Sequence, residues 1–265
     1  MQYCALFNLN CDNIFLTMLK RERQAYILHQ VNLHNRVLSA SLSSEVDVSE
    51  DTIRRDLQEL SETGKLIKVY GGALSPSYGH ATHATRIYAK TAKQIIAQKA
   101  QKLIKDGMFV LTGGGTTILE LARALPHNLH ATFISGSIPA ISEYMQHPGI
   151  DIIVIGDKLS KSSKITTGAD ALSRIKNLRA DLCFLGINAI DLQNGITDND
   201  WDVVQLKQQM ISSSQRTVCL TISEKINTLQ PIHVCDVSNI HTLITELEPG
   251  NPILAPFVDA GVSVI

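Results

Sequence analysis

Five short apolar runs put the tightest limit on what this chain can fold into: MFVLT (108–112), ATFIS (131–135), IDIIVIG (150–156), ADLCFLGI (180–187) and RTVCLTI (216–222). Each is strand-length, and each is nearly continuous in apolar residues instead of alternating, which marks strands covered on both faces. HTLITEL (241–247) and VSVI (262–265) follow in the same style. Between the runs lie helical segments. TAKQIIAQKAQKLIKDG (91–107) reads as a helix closed by Gly107, and TILELARAL (117–125) as another. Strand and helix in alternation predict an α/β domain with a mostly parallel sheet, assigned to residues 92–265.

A chain of 265 residues has room for one further, smaller domain, and with 44% hydrophobic residues it can fill two cores. The formal net charge of −1 offers no bulk attraction to nucleic acid, so any DNA contact has to be local. Among the five cysteines, Cys183 and Cys219 sit inside apolar runs, and Cys4, Cys11 and Cys235 show no CxxC spacing. Neither a disulfide framework nor a zinc site is expected. His80 and His83 lie three apart in a polar segment with no cysteine nearby, so no metal and no cofactor is expected. No apolar run reaches the ~18–20 residues of a membrane helix. Residues 1–17 are broken by Asn8, Asn10, Asp12 and Asn13 and lack a basic leading segment. They read as a loosely ordered N-terminal extension, with Met18 as a second candidate start, and a cytoplasmic protein is expected.

Residues 18–75 differ from the rest, carrying eight Lys and Arg against eight Asp and Glu. Ile27, Leu28 and Val31 have helical spacing. Ser39 is a candidate N-cap of a second short helix with Leu42 as its core residue. Ser49 caps a third, in which Ile53, Leu57 and Leu60 share a face and which Gly64 ends. LIKVYGG (66–72) then reads as a strand and turn. Three short helices and a hairpin are the plan of a winged helix-turn-helix, whose last helix enters the major groove of double-stranded DNA. Ser49, Thr52, Arg54 and Arg55 are the candidate contacts on that helix, and Lys65 and Lys68 beside the wing can neutralise phosphates. The plainer alternative is a solvated arginine pair, with Asp47, Glu50 and Asp51 close enough to repel phosphate unless they point away.

The stretch VSEDTIRRDLQELSETGKLIKVYGGAL (48–74) closely resembles the signature of the DeoR family of bacterial transcription regulators: Val48 and Ser49, Thr52 to Leu57, Gly64, and Gly71 to Ala73. The resemblance implies sequence-specific binding to an operator, repression as the usual outcome, and a homodimer or homotetramer. Residues 76–91 read as a linker.

In the C-terminal domain, LTGGGTTILELA (111–122) carries a strand end, three glycines, two threonines and a helix start. Gly114, Gly115, Thr116 and Thr117 can cradle an anion on backbone N–H groups, hydroxyls and the helix N-terminus. The loop lacks both the P-loop lysine and the third glycine of the dinucleotide fingerprint, and it can also be an ordinary turn. Gly136 and Ser137, in FISGSIP (133–139), can complete the cradle from a neighbouring strand, or form a plain turn. In NGITDNDWDVVQLKQQM (194–210), acids at 198, 200 and 202 enter a helix, where at least one is expected to cap. Asp198 is a candidate for sugar hydroxyls and Lys207 for a phosphate. Lys158, Lys161 and Lys164 read as a solvated basic loop.

The stretch from about 92 to 247 resembles the DeoR sensor domain, which is similar to the sugar-phosphate isomerase fold. The matching pieces are residues 115–117 and 132–137, Gly168, Asp181, Gly186, Gly195 to Thr197, Lys207, Met210 and Lys225. The resemblance implies a phosphorylated sugar or related metabolite as effector and control of carbohydrate genes. Two positions depart from the family pattern: Gly113 replaces an acid, and Asp157 follows Gly156 in place of a second glycine. Two rival readings are a sugar-phosphate isomerase or deaminase with a fused DNA-binding module, using the acids around 198–202 with Lys207, and a sensor acting only through protein partners. The regulators of the resembling family bind without turnover, and the intact Thr52–Asp56 run speaks for DNA, so the expectation is a regulator and not an enzyme.

Overall fold

The computed structural model describes residues 18–76, 87–161 and 163–265. The predicted extension 1–17, with Cys4 and Cys11, and the 77–86 part of the predicted linker, with His80 and His83, lie outside the described residues. The described residues form two compact units: 18–31 with Arg36–Leu74, and Asn32–Asn35 with those from Ser75 to Ile265.

The first unit runs α1 (Lys20–His34), β1 (Arg36–Leu38), α2 (Ser39–Glu45), α3 (Glu50–Glu62), β2 (Ile67–Val69) and β3 (Gly72–Leu74). Its core gathers Ile27, Val31, Leu42, Ile53, Leu57, Leu60, Leu66 and Ala73, the residues whose helical spacing gives α1 and α3 one apolar face each. Ser49 caps α3 by accepting the Thr52 N–H at 3.3 Å. Thr63 closes the helix, and Gly64 follows with φ +69°. The predicted Ser39 cap is corrected: Leu38 occupies the cap position without a side-chain bond, and Ser39 is the first helical residue and buried. Its oxygen is packed away because β1 joins the wing and draws the start of α2 inward. The wing is therefore three-stranded, in the order β1-β3-β2, all antiparallel. Gly72 makes this packing feasible, since a Cβ there would run into the Val37 carbonyl.

The second unit is built on seven strands ordered β15-β14-β12-β9-β4-β5-β6, with every pairing parallel. They are β4 (Phe109–Thr112), β5 (Ala131–Ser135), β6 (Ile150–Val154), β9 (Ala180–Gly186), β12 (Ser214–Leu220), β14 (Thr242–Ile244) and β15 (Ser263–Val264). Helices α4 (Lys90–Ala100), α5 (Thr116–Arg123) and α6 (Ile138–Tyr144) bury Ile96, Ile118 and Tyr144 with Val110, Phe133, Phe184 and Val218 of the sheet. On the other face α7 (Ala169–Lys176) and α8 (Trp201–Ser212) bury Ile175 and Met210 with Leu111, Ile134, Cys183 and Cys219. Successive residues of one strand feed opposite clusters, which is why the strands are apolar throughout.

Three details differ from the sequence expectation. The first helix ends at Ala100 and continues as a 3₁₀ turn to Leu103; Gly107, at φ +79°, sits in the turn before β4 and not at the helix cap. The strand expected at 150–156 is shorter and forms the sheet edge, leaving Ile153 and Val154 exposed. Residues 195–198 form a strand that the sequence reading did not assign: β10 (Ala189–Asp191), β11 (Gly195–Asp198) and β13 (Ile232–Cys235) make a small antiparallel sheet, and β7 (Lys158–Leu159) pairs with β8 (Thr166–Thr167).

Candidate functional site

In the first unit the apolar face of α3 turns inward and leaves Arg54 and Arg55 in solvent. Their guanidinium groups reach back one turn, Arg54 to Glu50 at 3.4 Å and Arg55 to Asp51 at 3.0 Å. Exposed pairs of this spacing are worth only about 0.3–0.5 kcal/mol, so a phosphate can displace them. Asp47 lies in the turn before α3 at φ +50°. Asp56 turns the opposite way. Its carboxylate is buried, accepting from Arg23 Nε at 2.5 Å and Gln24 Nε2 at 3.1 Å, and so ties α1 to α3. Ser49 Oγ and Thr52 Oγ1 are 2.9 Å apart at the exposed start of α3. Lys65 is exposed, and Lys68 Nζ donates to Gln58 Oε1 at 2.9 Å, joining the wing to the outer face of α3.

In the second unit the chain leaves β4 toward β5 and β6 on one side and later resumes at β9 on the other. The carboxyl ends of β4 and β9 thus flank the point where strand order reverses, the usual ligand crevice of an open α/β sheet. A cleft lies there. The loop after β4 supplies Gly114, Gly115, Thr116 and Thr117, and the loop after β9 supplies Ile187 and Asn188. Gly115 caps α5 at φ +100°, and the first amides of the helix have no partner within it. Gly186 is needed for the close crossing, because a Cβ there would press on the Gly114 carbonyl at 2.9 Å.

Three buried lysines, Lys93, Lys207 and Lys225, face the same cleft. Lys207 is paired with Asp198 at 2.6 Å. The Asp198 carboxylate also accepts from Asn199 N at 2.7 Å and Asn188 Nδ2 at 3.1 Å. Burial pushes its pKa up, but the Lys207 charge and these bonds outweigh that and hold it below the ordinary carboxylate range. Lys93 Nζ donates to the Tyr88 carbonyl at 2.7 Å, and Lys225 Nζ to the Ile187 carbonyl at 3.2 Å and Asn188 Oδ1 at 3.3 Å. Burial lowers Lys93 to about 8, and burial together with the charges of Lys93 and Lys207 lowers Lys225 to about 7. Ser163 Oγ, also at the cleft, is buried without a hydrogen-bond partner among the described residues. The cleft is rich in donors and positive charge, and Asp198, its buried acid, already accepts three hydrogen bonds.

The two predicted loops part company here. Gly136 and Ser137 are not among the lining residues. The Gly136 carbonyl accepts the Thr166 N–H at 2.9 Å, a Cβ at Gly136 would meet the Thr166 hydroxyl, and Ser137 bridges to Ile165, so β8 covers this loop and Ile165 lines the cleft instead. Asp200 is the acid that caps, accepting from Asp202 N and Val203 N at the start of α8. In the basic loop Lys158 and Lys161 are solvated as expected, whereas Lys164 lines the cleft and burial lowers its pKa. Asp157 accepts the N–H groups of Lys158, Asp170 and Ala171, at 2.6, 2.9 and 3.4 Å, which accounts for its departure from the family pattern: it caps α7. Gly113 is buried, and a Cβ there would come within ordinary contact of Leu185 and Met210. Lys93 escaped the sequence reading, yet its signal was present: a lysine at helical spacing with Ile96, Ala97 and Ala100 sits on a buried face.

An outward arginine pair on a capped third helix beside a wing, carried by the same chain as a cation-lined cleft, defines a ligand-responsive DNA-binding transcription regulator. The DeoR-like helix-turn-helix domain matches residues 23–78 and the DeoR C-terminal sensor domain residues 89–247. The chain belongs to the DeoR family and is a regulator, not an enzyme. It is 29% identical over 246 residues to the transcriptional regulator GolR of Listeria innocua, covering 92% of this chain and 97% of that one. The repressor GlcR of Bacillus subtilis is 28% identical, over 88% and 90% of the two chains. The glycerol-3-phosphate regulon repressor of Escherichia coli is 25% identical, over 91% and 97%. Among solved structures, ribose 5-phosphate isomerase A of Methanocaldococcus jannaschii aligns over 52% of this chain and 54% of its own at 20% identity, with a TM-score of 0.38. Among the described residues no helix is long and apolar enough to cross a membrane.

Proposed function

We propose that this regulator is a cytoplasmic repressor of carbohydrate-metabolism genes, released or engaged by a phosphorylated sugar or related metabolite. The observation that carries the effector class is the cleft itself. Three buried lysines, one of them paired with the buried Asp198, line the same cleft as the N-terminus of α5, a ready site for a phosphate dianion. Gly114, Gly115, Thr116 and Thr117 would hold the phosphate together with Lys93 and Lys225, while the Asp198–Lys207 pair and Asn188 would meet the sugar end. Gly136 and Ser137 would support this loop from behind. The names of the relatives, repressors of a glycerol-3-phosphate regulon and of an aga operon, are in keeping with that chemistry.

The operator would be read by Ser49, Thr52, Arg54 and Arg55 in the major groove, with Lys65 and Lys68 on flanking phosphates. Paired half-sites would require a homodimer or homotetramer. For regulation, the effector must bind the DNA-competent and DNA-incompetent states with different affinity. Fluorescence anisotropy of the full chain on DNA from upstream of its own gene, with and without a panel of sugar phosphates, tests the whole reading. Tight binding altered by one compound is expected. Tight binding indifferent to every phosphorylated compound overturns the effector class, and no binding to that DNA or to any duplex in a random pool overturns the operator assignment.

A further inference from the structure

Among the described residues, two side-chain polar atoms are buried without a hydrogen-bond partner, Thr242 Oγ1 and Ser163 Oγ. Thr242 belongs to β14 inside the sheet, whereas Ser163 lines the cleft. A hydroxyl hidden from water with nothing to bond is costly, and at a cleft wall a ligand can supply the missing bond. The next residue repeats the pattern. Lys164 also lines the cleft, is half-buried, and has no hydrogen bond or ion pair among the described residues. Lys93, Lys207 and Lys225, by contrast, each donate to an oxygen of the protein.

The turn between β7 and β8 that carries both residues is held by its backbone. The Ser160 N–H donates to the Ile165 carbonyl at 3.0 Å, the Lys164 N–H to the Ser160 carbonyl at 2.8 Å, and the Ser163 N–H to Ser160 Oγ at 3.3 Å. Lys164 takes φ +54°, a conformation uncommon outside glycine. The turn is also tied to the loop after β5, because the Lys164 carbonyl accepts the Ile138 N–H at 3.0 Å and Ile165 bridges to Ser137. Ile165 then reaches the glycine loop itself, lying 3.5 Å from where a Cβ of Gly114 would stand.

Strand order sets the two sides of the cleft. β4 lies between β5 and β9. Lys225 is fixed to Ile187 and Asn188 after β9, and Lys164 is fixed to the loop after β5, so the loop after β4 has one lysine on each flank.

We propose that Ser163 and Lys164 are effector-binding residues: the hairpin turn grips the phosphate group of the ligand from the flank opposite Lys225. The inference rests on the cleft being the effector site proposed above. It also gives the phosphate cradle the second side that Gly136 and Ser137 do not supply, since the hairpin covers them.

The test uses the full chain and two probes: inorganic phosphate, followed by phosphorus NMR line broadening, and the most stabilising member of a panel of sugar phosphates, followed by calorimetric titration. Wild type is compared with Ser163→Ala, Lys164→Ala, Lys164→Arg and Lys158→Ala, the last on the same hairpin but exposed and outside the cleft. Lys164→Ala is expected to weaken both probes by roughly tenfold and Ser163→Ala by about threefold, the scales of a charged and a neutral hydrogen bond. Lys164→Arg should keep most of the affinity, Lys158→Ala should match wild type, and no variant should lose melting temperature without ligand. Wild-type affinity in both alanine variants overturns the hairpin contact while the effector site stands. A loss confined to the sugar phosphate overturns the phosphate assignment. A loss in Lys164→Arg as large as in Lys164→Ala, or an equal loss in Lys158→Ala, overturns a direct contact in favour of the turn's conformation or of long-range charge. A wild type that binds neither probe overturns the effector reading, and the proposal with it.

Discussion

Arg23 and Asp56 are joined by a 2.5 Å ion pair whose side chains are only 11% and 2% exposed. The acid next to the two arginines of α3 is thus turned away from the face that carries them, and the Thr52–Leu57 run divides by helical phase into an outer and an inner set. Arg54 and Arg55 stay exposed to solvent, and Asp56 holds α1 in place.

Asp56→Ala should destabilise the DNA-binding unit by about 3–5 kcal/mol, because it leaves the Arg23 charge buried without its partner. Calorimetry should show the loss in this unit's transition. An Arg23→Met, Asp56→Leu double variant should recover much of it, since an apolar pair of similar volume avoids desolvating the charges. A single variant as stable as wild type would mean that the pair is solvated.

Replacing both Arg54 and Arg55 by alanine should weaken operator binding and flatten its dependence on salt by roughly 0.9 in log–log slope per lost phosphate contact. Fold stability should barely change, since both side chains are exposed and their pairs with Glu50 and Asp51 are weak. Titrations at several salt concentrations check this, and an unaltered slope would remove the arginines from the interface.

Thr116→Ala should reduce the effector response while sparing operator affinity in its absence, since Thr116 is half-exposed at the start of α5 and faces the cleft. Gly115→Val should be more damaging to effector binding, because φ +100° is strained for a β-branched residue and the loop would shift. Calorimetric titration with the active sugar phosphate measures both. Effector binding equal to wild type in both variants would place the cradle elsewhere.

Effector affinity should fall as pH rises above about 7. Lys225 at about 7 and Lys93 at about 8 are partly neutral in the empty cleft, and a phosphate dianion favours their charged forms, so binding takes up protons. Each proton taken up steepens the loss by at most about tenfold per pH unit. The stability of the empty protein runs the other way. Both lysines sit below the ordinary lysine range, so unfolding takes up protons and stability rises with pH from near 7 toward that range. Titrations in buffers of different ionisation enthalpy report the proton count, and a count of zero between pH 7 and 8.5 would exclude the coupling.

Local patterns already carried much of this in the sequence. Helical spacing of Ile53, Leu57 and Leu60 with a serine cap defined α3, and continuous apolar runs defined the parallel strands, because both signals come from residues close in the chain. Ser39 and Gly107 misled for the opposite reason: each is a good cap by type, but β1 joining the wing and the early end of α4 placed both off the cap positions.

The order of elements, the two-part architecture, the arginine-bearing helix and the glycine-threonine loop are all written in contiguous residues. Which charges meet depends instead on how distant segments pack. Lys93, Asp198, Lys207 and Lys225 come from four separate segments and converge because the strand order reverses between β4 and β9. Gly136 and Ser137 lost the cleft to Ile165 by the same packing. Burial then changed what Lys93 and Lys225 do, since it lowers the pKa of a lysine removed from water, and the desolvation that causes this depends on neighbours distant in the chain.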